Sequence, residues 1–161
     1  MTPALLAEAE ALLALLRARQ LKLATAESCT GGLISATLTA IAGSSDVVER
    51  GFVTYSNEAK REMLGVSEES LAAAGAVSEE VARAMAKGAL ERSRADIALS
   101  VTGIAGPGGA TATKPIGLVF IGAAGRGGAL MVERNVFAGD RAAVRLASVS
   151  AAFRLARTLA C

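Results

Sequence analysis

The chain has 161 residues, a formal charge of +2, no histidine, 52% hydrophobic and only 3% aromatic residues. That length suits one domain with a single sizeable core, here built from Ala, Val, Leu and Ile. The dispersed Lys and Arg exclude the clustered basic face and stacking aromatics of a nucleic-acid binder, while leaving room for a phosphate monoester held by one or two cations.

In chain order, the opening segment reads as an amphipathic helix. Thr2 caps it, Pro3 takes the first position, and Leu5, Leu6, Leu12, Leu13 and Leu16 recur at helical spacing. It lacks the basic start and unbroken apolar run of a signal peptide. No stretch reaches the roughly 18 apolar residues of a membrane span. "LKLATAE" (21–27) alternates as a strand, and "GLISATLTAIA" follows as a helix that Gly43 can terminate. "GFVTYS" predicts a strand, and Asn57 is the expected N-cap of "EAKREML", which Gly65 ends. Ser67 caps a short helix and Ser78 begins a longer one. Asp96–Thr102 has the apolar density of a buried strand. "IGLVFIGAAG" and "ALMVERNVFA" flank a turn as an antiparallel hairpin, and a long helix with Arg141 in its first turn closes the chain. Helices alternating with strands, then a hairpin, predict an α/β fold: a three-layer α/β/α sandwich with a mixed β-sheet, as a single domain over 1–161. Strand order does not follow from the pattern.

Three small, polar loops at strand ends are the candidate ligand sites. In "AESCTGG" a helix begins near Gly31 and Gly32, whose free N–H groups suit an anion, with the Ser28 and Thr30 hydroxyls and Glu27 beside them. The alternative is that Ser28 or Thr30 only caps that helix. Cys29 reads either as a nucleophile at a helix start or, more commonly, as a small buried residue. The second candidate is "GSSDVVERGFVTYSNEAK", with Ser44, Ser45, Tyr55 and Lys60. With no histidine, Ser-His-Asp catalysis is excluded, but a neutral lysine can activate a serine. A free lysine titrates near pH 10.4, so a lysine base working at neutrality needs its cation penalised by about 4 kcal/mol, at about 1.36 kcal/mol per pH unit. Burial or a neighbouring arginine supplies that penalty. The plainer alternative makes a serine here a cap, Tyr55 a packing residue and Lys60 a solvated one. The third candidate is "TGIAGPGG", whose Gly103, Gly106, Gly108 and Gly109 allow close backbone approach, though it is not a P-loop. Cys29 and Cys161 have no partner at metal-ligand spacing. The expectation is a cytoplasmic protein with reduced thiols.

"TAESCTGG", "GSSDVVERGFVTYSNEAK", "GAVSEEVA", "SVTGIAGPGG", "KPIGLV" and "FAGDR" occur in that order. Together they closely resemble the CinA C-terminal domain family, the nicotinamide-nucleotide amidohydrolases, over roughly residues 5 to 158. The length resembles the short bacterial form, without the molybdopterin-binding-like domain of longer relatives. The resemblance implies hydrolysis of nicotinamide mononucleotide to nicotinic acid mononucleotide and ammonia, with no cofactor and no metal. It implies Ser45 as nucleophile, Lys60 as general base and Tyr55 in support. It places Ser28, Thr30, Gly31 and Gly32 in a first ligand loop and Thr102, Gly103 and Gly106 in a second. Ser44 is grouped with the substrate-binding residues, and Arg141 is assigned to the phosphate or to the lysine's electrostatics. Gly108, Gly109 and Ala110 depart from the family's usual polar residue followed by two glycines. The competing class is a non-catalytic nucleotide- or protein-binding module. The apolar terminal helices or the hairpin edge suit an interface, and a homo-oligomer, dimer or higher, is expected. No nucleic-acid or membrane partner is expected.

Overall fold

The computed structural model describes all residues, 1–161. Six helices and five strands follow in the order α1 (Pro3–Ala18), β1 (Leu23–Glu27), α2 (Leu33–Thr39), β2 (Val48–Val53), α3 (Asn57–Leu64), α4 (Glu68–Ala74), α5 (Glu79–Glu91), β3 (Ile97–Gly103), β4 (Leu118–Gly125), β5 (Leu130–Val136) and α6 (Arg141–Ala160), with a 3₁₀ turn at Ser44–Asp46 before β2. The strands form one sheet in the order β2-β1-β3-β4-β5. β1 runs parallel to both β2 and β3, and β4 is antiparallel to β3 and to β5. The mixed sheet and hairpin match expectation, and the strand order is new.

Period-two alternation sends successive β1 side chains to opposite faces of the sheet. Leu23 joins the larger core with Leu12, Leu16, Leu99, Ile121 and Phe153 beneath α1 and α6. Ala24 and Ala26 join the smaller core with Leu64, Val81 and Met85 beneath α3–α5. Helices therefore cover both faces, giving the three layers. All five β1 residues are buried, so the strand's polar members, Thr25 and Glu27, lie inside rather than on a wet face.

Several local expectations hold. Thr2 caps α1 with Pro3 in its first turn, and Ser67 and Ser78 cap α4 and α5. Two change. Ser56, not Asn57, caps α3, because the Ser56 hydroxyl accepts the Ala59 N–H at 3.0 Å. α2 stops at Thr39, and Gly43, in a left-handed conformation, leads into the 3₁₀ turn rather than ending the helix.

Chain direction positions the site. From β1 the chain crosses to β2 on one side, and from β2 it crosses back to β3 on the other. The carboxyl ends of β1 and β3 thus border the point where connectivity reverses, the place where open α/β sheets collect ligands.

Candidate active site

At the end of β1 the backbone turns sharply: the Ser28 N–H donates to Val101 O on β3 and the Gly31 N–H donates to Ser28 O. Gly31 and Gly32 have φ of +58° and +97°, a left-handed pair that side-chain-bearing residues adopt only with strain. Their first role is therefore to bend the chain from strand to helix, lifting Ser28 to the top of the sheet.

Lys60 reaches the same point from the next strand over. Glu27 is paired with Val53, and the Thr54 N–H donates to Glu27 O, so residues 28 and 54 leave the sheet side by side. α3 starts just beyond and points Lys60 back across β2. Its Nζ donates to Ser28 Oγ at 3.0 Å and to Thr54 O at 2.9 Å, with the Tyr55 and Ser56 carbonyls at the outer limit of 3.5 Å. The lysine is 1% exposed and has no ion pair. Burial, uncompensated by a carboxylate, holds its pKa below the ordinary lysine value, and the neighbouring Cys29 opposes this only weakly. Were Nζ to lose its extra proton, its lone pair would face the Ser28 hydroxyl across the same 3.0 Å while its N–H groups stayed on the carbonyls.

The expected Ser45–Lys60 pair is not formed. Ser44 and Ser45 form the 3₁₀ turn at the start of β2, while Tyr55 and Lys60 come after its end. Six residues of strand separate them, roughly 20 Å at about 3.3 Å per residue. Ser45 is exposed at the opposite end of β2, near the Arg17–Asp46 ion pair.

The anion site expected at the start of α2 is also absent. Glu27, 0% exposed, fills it. Its carboxylate accepts the N–H of Gly32 at 3.1 Å, of Ile34 at 2.9 Å and of Ser35 at 2.8 Å, together with the Ser35 hydroxyl at 3.0 Å. Neither Ser28 nor Thr30 caps the helix. The N–H groups of Cys29 and Thr30 donate to no backbone acceptor of another residue, and the buried Thr30 and Thr54 hydroxyls have no partner. Cys29 is buried and free, and burial pushes its thiol up to about 11.

Arg141 and Arg145, one turn apart on α6, bind this cluster together. Arg141 donates to Gly106 O at 2.9 Å and to the Tyr55 hydroxyl at 3.0 Å, and Arg145 donates to Thr30 O at 2.7 Å. Sequence alone does not single out Arg145, whose only signal is i,i+4 spacing from Arg141. Tyr55 is 60% exposed, and its hydroxyl faces Arg141 rather than Lys60. Thr102 spends its hydroxyl proton on Ala76 O at 2.7 Å. A Cβ on Gly103 would meet Val119 and the Leu118 carbonyl, and one on Gly106 would meet Ile116, so both glycines serve packing. Gly108 meets nothing. A cleft of about 390 Å³, lined by Ala105, Gly106, Pro107, Ile116, Gly139, Asp140 and Arg141, opens next to Arg141; this is within the size range of small-molecule sites. Another groove, of about 380 Å³, lies at the far end of the sheet between α5 and the β4–β5 hairpin. No group of three or more His, Cys, Asp or Glu is placed to hold a metal ion.

The fold and site define an open α/β protein with a serine and a buried lysine paired at the sheet's switch point, the side-chain types of serine–lysine acyl transfer. The chain belongs to the CinA C-terminal domain family, which it matches over residues 6–160. It is similar to the nicotinamide-nucleotide amidohydrolase PncC of Escherichia coli K12, 55% identical over 130 residues, covering 81% of this chain and 79% of that protein. The PncC of Enterobacter agglomerans is 55% identical over 133 residues, covering 83% and 81%. A putative competence-damage inducible protein of Caldicellulosiruptor saccharolyticus is 53% identical over 148 residues, and there the match spans only 36% of the relative's length. Among solved structures, the competence/damage inducible protein CihA of Agrobacterium tumefaciens superposes with a TM-score of 0.97 at 48% identity, covering 99% of this chain and 97% of that one. No helix is long and apolar enough to cross a membrane.

Proposed function

We propose that this chain, acting over 1–161 as one catalytic unit, hydrolyses the carboxamide of nicotinamide mononucleotide, giving nicotinic acid mononucleotide and ammonia. The observation that carries the chemistry is the buried Lys60 nitrogen 3.0 Å from Ser28 Oγ. The substrate rests on the likeness to the PncC amidohydrolases.

Neutral Lys60 takes the Ser28 hydroxyl proton as Oγ attacks the amide carbon. The oxyanion forms opposite the free N–H groups of Cys29 and Thr30, the donors that come directly after a nucleophile on a strand-to-helix turn. Lys60 then returns its proton to the departing nitrogen, which leaves as ammonia. The resulting serine ester is cleaved by a water that Lys60 deprotonates, and the proton goes back to Ser28. The pyridinium of the substrate withdraws electrons from the amide and aids both attacks. Arg141, and Arg145 behind it, offer positive charge for the phosphate, whose binding supplies affinity away from the reacting bond. Gly106 lines the cleft beside Arg141, Thr30, Gly31 and Gly32 form the turn that presents Ser28, and Thr102 and Gly103 hold the second loop in place behind them. Ser45 and Ser44, at the other end of β2, are outside this scheme.

The test is direct: purified protein with nicotinamide mononucleotide releases stoichiometric ammonia, and a chelator leaves the rate unchanged. A protein that binds the nucleotide without releasing ammonia fits the non-catalytic module instead. The free thiols suit a cytoplasmic enzyme. A homo-oligomer is expected, read by its size in solution.

A further inference from the structure

We propose that Glu27 is a positioning residue for Ser28: its buried carboxylate fixes the strand-to-helix turn and keeps the Cys29 and Thr30 N–H groups free for the oxyanion. This rests on the serine–lysine reading above.

Neighbouring positions on β1 face opposite ways. Ser28 faces α3 and Lys60, whereas Glu27 faces α2, where Thr25 also meets Ser35, the two hydroxyls 2.6 Å apart. An unpaired buried carboxylate is costly and survives only when fully hydrogen-bonded. Glu27 meets that condition with five donors, four of them from residues 32–35 and the fifth the Thr25 hydroxyl at 3.5 Å. Each of the four shortens the tether between the last strand residue and the first turn of α2. Residues 28–31 must therefore span a fixed gap, and the left-handed Gly31 and Gly32 bend them through it. The carboxylate also saturates the α2 N–H groups, so that no helix-end donor competes with those of Cys29 and Thr30. A glutamine has the same shape but only one accepting oxygen; its amide would face backbone donors.

The experiment compares Glu27→Gln, Glu27→Asp and Ser28→Ala with the wild type, using nicotinamide mononucleotide, and tracks amide hydrogen exchange over residues 28–35. Glu27→Gln is expected to lose about 10–100-fold in kcat, the scale of misplacing a reacting group by about 1 Å, with KM within about twofold. The acid limb of the pH profile, which reports Lys60, should not move, and exchange at 32–35 should rise. Glu27→Asp, which keeps the charge, should recover part of the loss. A folded Glu27→Gln enzyme with wild-type kcat, or one altered in KM alone, overturns the proposal. If Glu27→Gln does not fold, Ser35→Ala decides: a several-fold lower kcat at unchanged KM supports it, and unchanged kcat and exchange overturn it. Failure of the parent reading looks different, since Ser28→Ala would then stay active.

Discussion

Lys60 Nζ lies 3.0 Å from Ser28 Oγ although the two residues are 32 apart in sequence, and Lys60 forms no ion pair with a carboxylate. The lysine thus loses its proton more readily than a solvated one, because burial penalises the cation by more than the neighbouring Cys29 offsets.

Turnover should depend on pH through Lys60. Protonated Lys60 cannot act as a base, so kcat/KM should rise with pH through a midpoint below that of a free lysine. Lys60→Arg should be inactive at every pH, because a guanidinium stays charged. Stability has the same sign. The folded value lies below the unfolded one, so the unfolded chain binds the extra proton between the two, and stability rises with pH across that window. Lys60→Met should lose this rise. Denaturation midpoints measured at several pH values check it, and parallel curves for the two proteins would contradict it.

Cys29 should be inert. With its thiol pushed up to about 11, about one molecule in 10,000 carries a thiolate at pH 7. An alkylating agent at neutral pH should modify only the exposed Cys161, leaving turnover intact, and Cys29→Ala should keep activity within a few-fold. Peptide mass spectrometry locates the adduct. Rapid alkylation of Cys29 with loss of activity would make the thiol a candidate nucleophile.

Arg141 should act on binding. Its guanidinium ties Gly106 O to the Tyr55 hydroxyl beside the cleft. Arg141→Gln should raise KM for nicotinamide mononucleotide by about 10–100-fold. The increase should be much smaller for the riboside, which lacks the phosphate. Equal losses for both substrates would assign Arg141 to holding the loops and not to the phosphate. Tyr55→Phe should be mild, since the hydroxyl faces Arg141.

Gly88 sets how near α5 approaches α3. A Cβ there would strike the Leu64 carbonyl at the end of the helix that carries Lys60. Gly88→Ala should cost about 1–3 kcal/mol of stability and lower kcat as α3 shifts. Thermal unfolding with parallel kinetics reads both, and an unchanged melting temperature would show that the helices separate freely.

Much of the architecture is legible in the sequence because it is local. The caps Thr2, Ser67 and Ser78, the apolar spacing of α1 and the hairpin turn are decided by residues a few positions apart. The residue types of the site are legible too: a histidine-free chain with a candidate lysine base, and Ser28 marked in a ligand loop. The pairing is not, because it depends on strand order. Ser45 precedes Lys60 closely in sequence, yet β2 lies between them and carries them to opposite ends of the strand. Ser28 is farther from Lys60 in sequence, but parallel pairing of β1 with β2 brings their carboxyl ends together. A strand–helix–strand reading of residues 23–53 holds the clue. Loops leaving two parallel strands share one end of the strands, and the loop entering the second strand lies at the other. The Glu27 cap is hidden for a different reason: its contact joins opposite ends of a tight turn, which no capping pattern encodes.

The most direct test is ammonia release from nicotinamide mononucleotide by purified, folded Ser28→Ala and Ser45→Ala proteins measured side by side. Ser28→Ala is expected to lose about 10³-fold or more in kcat, and Ser45→Ala to keep a rate close to wild type. Near-wild-type turnover by Ser28→Ala, or a comparable collapse in Ser45→Ala alone, would contradict Ser28 as the nucleophile.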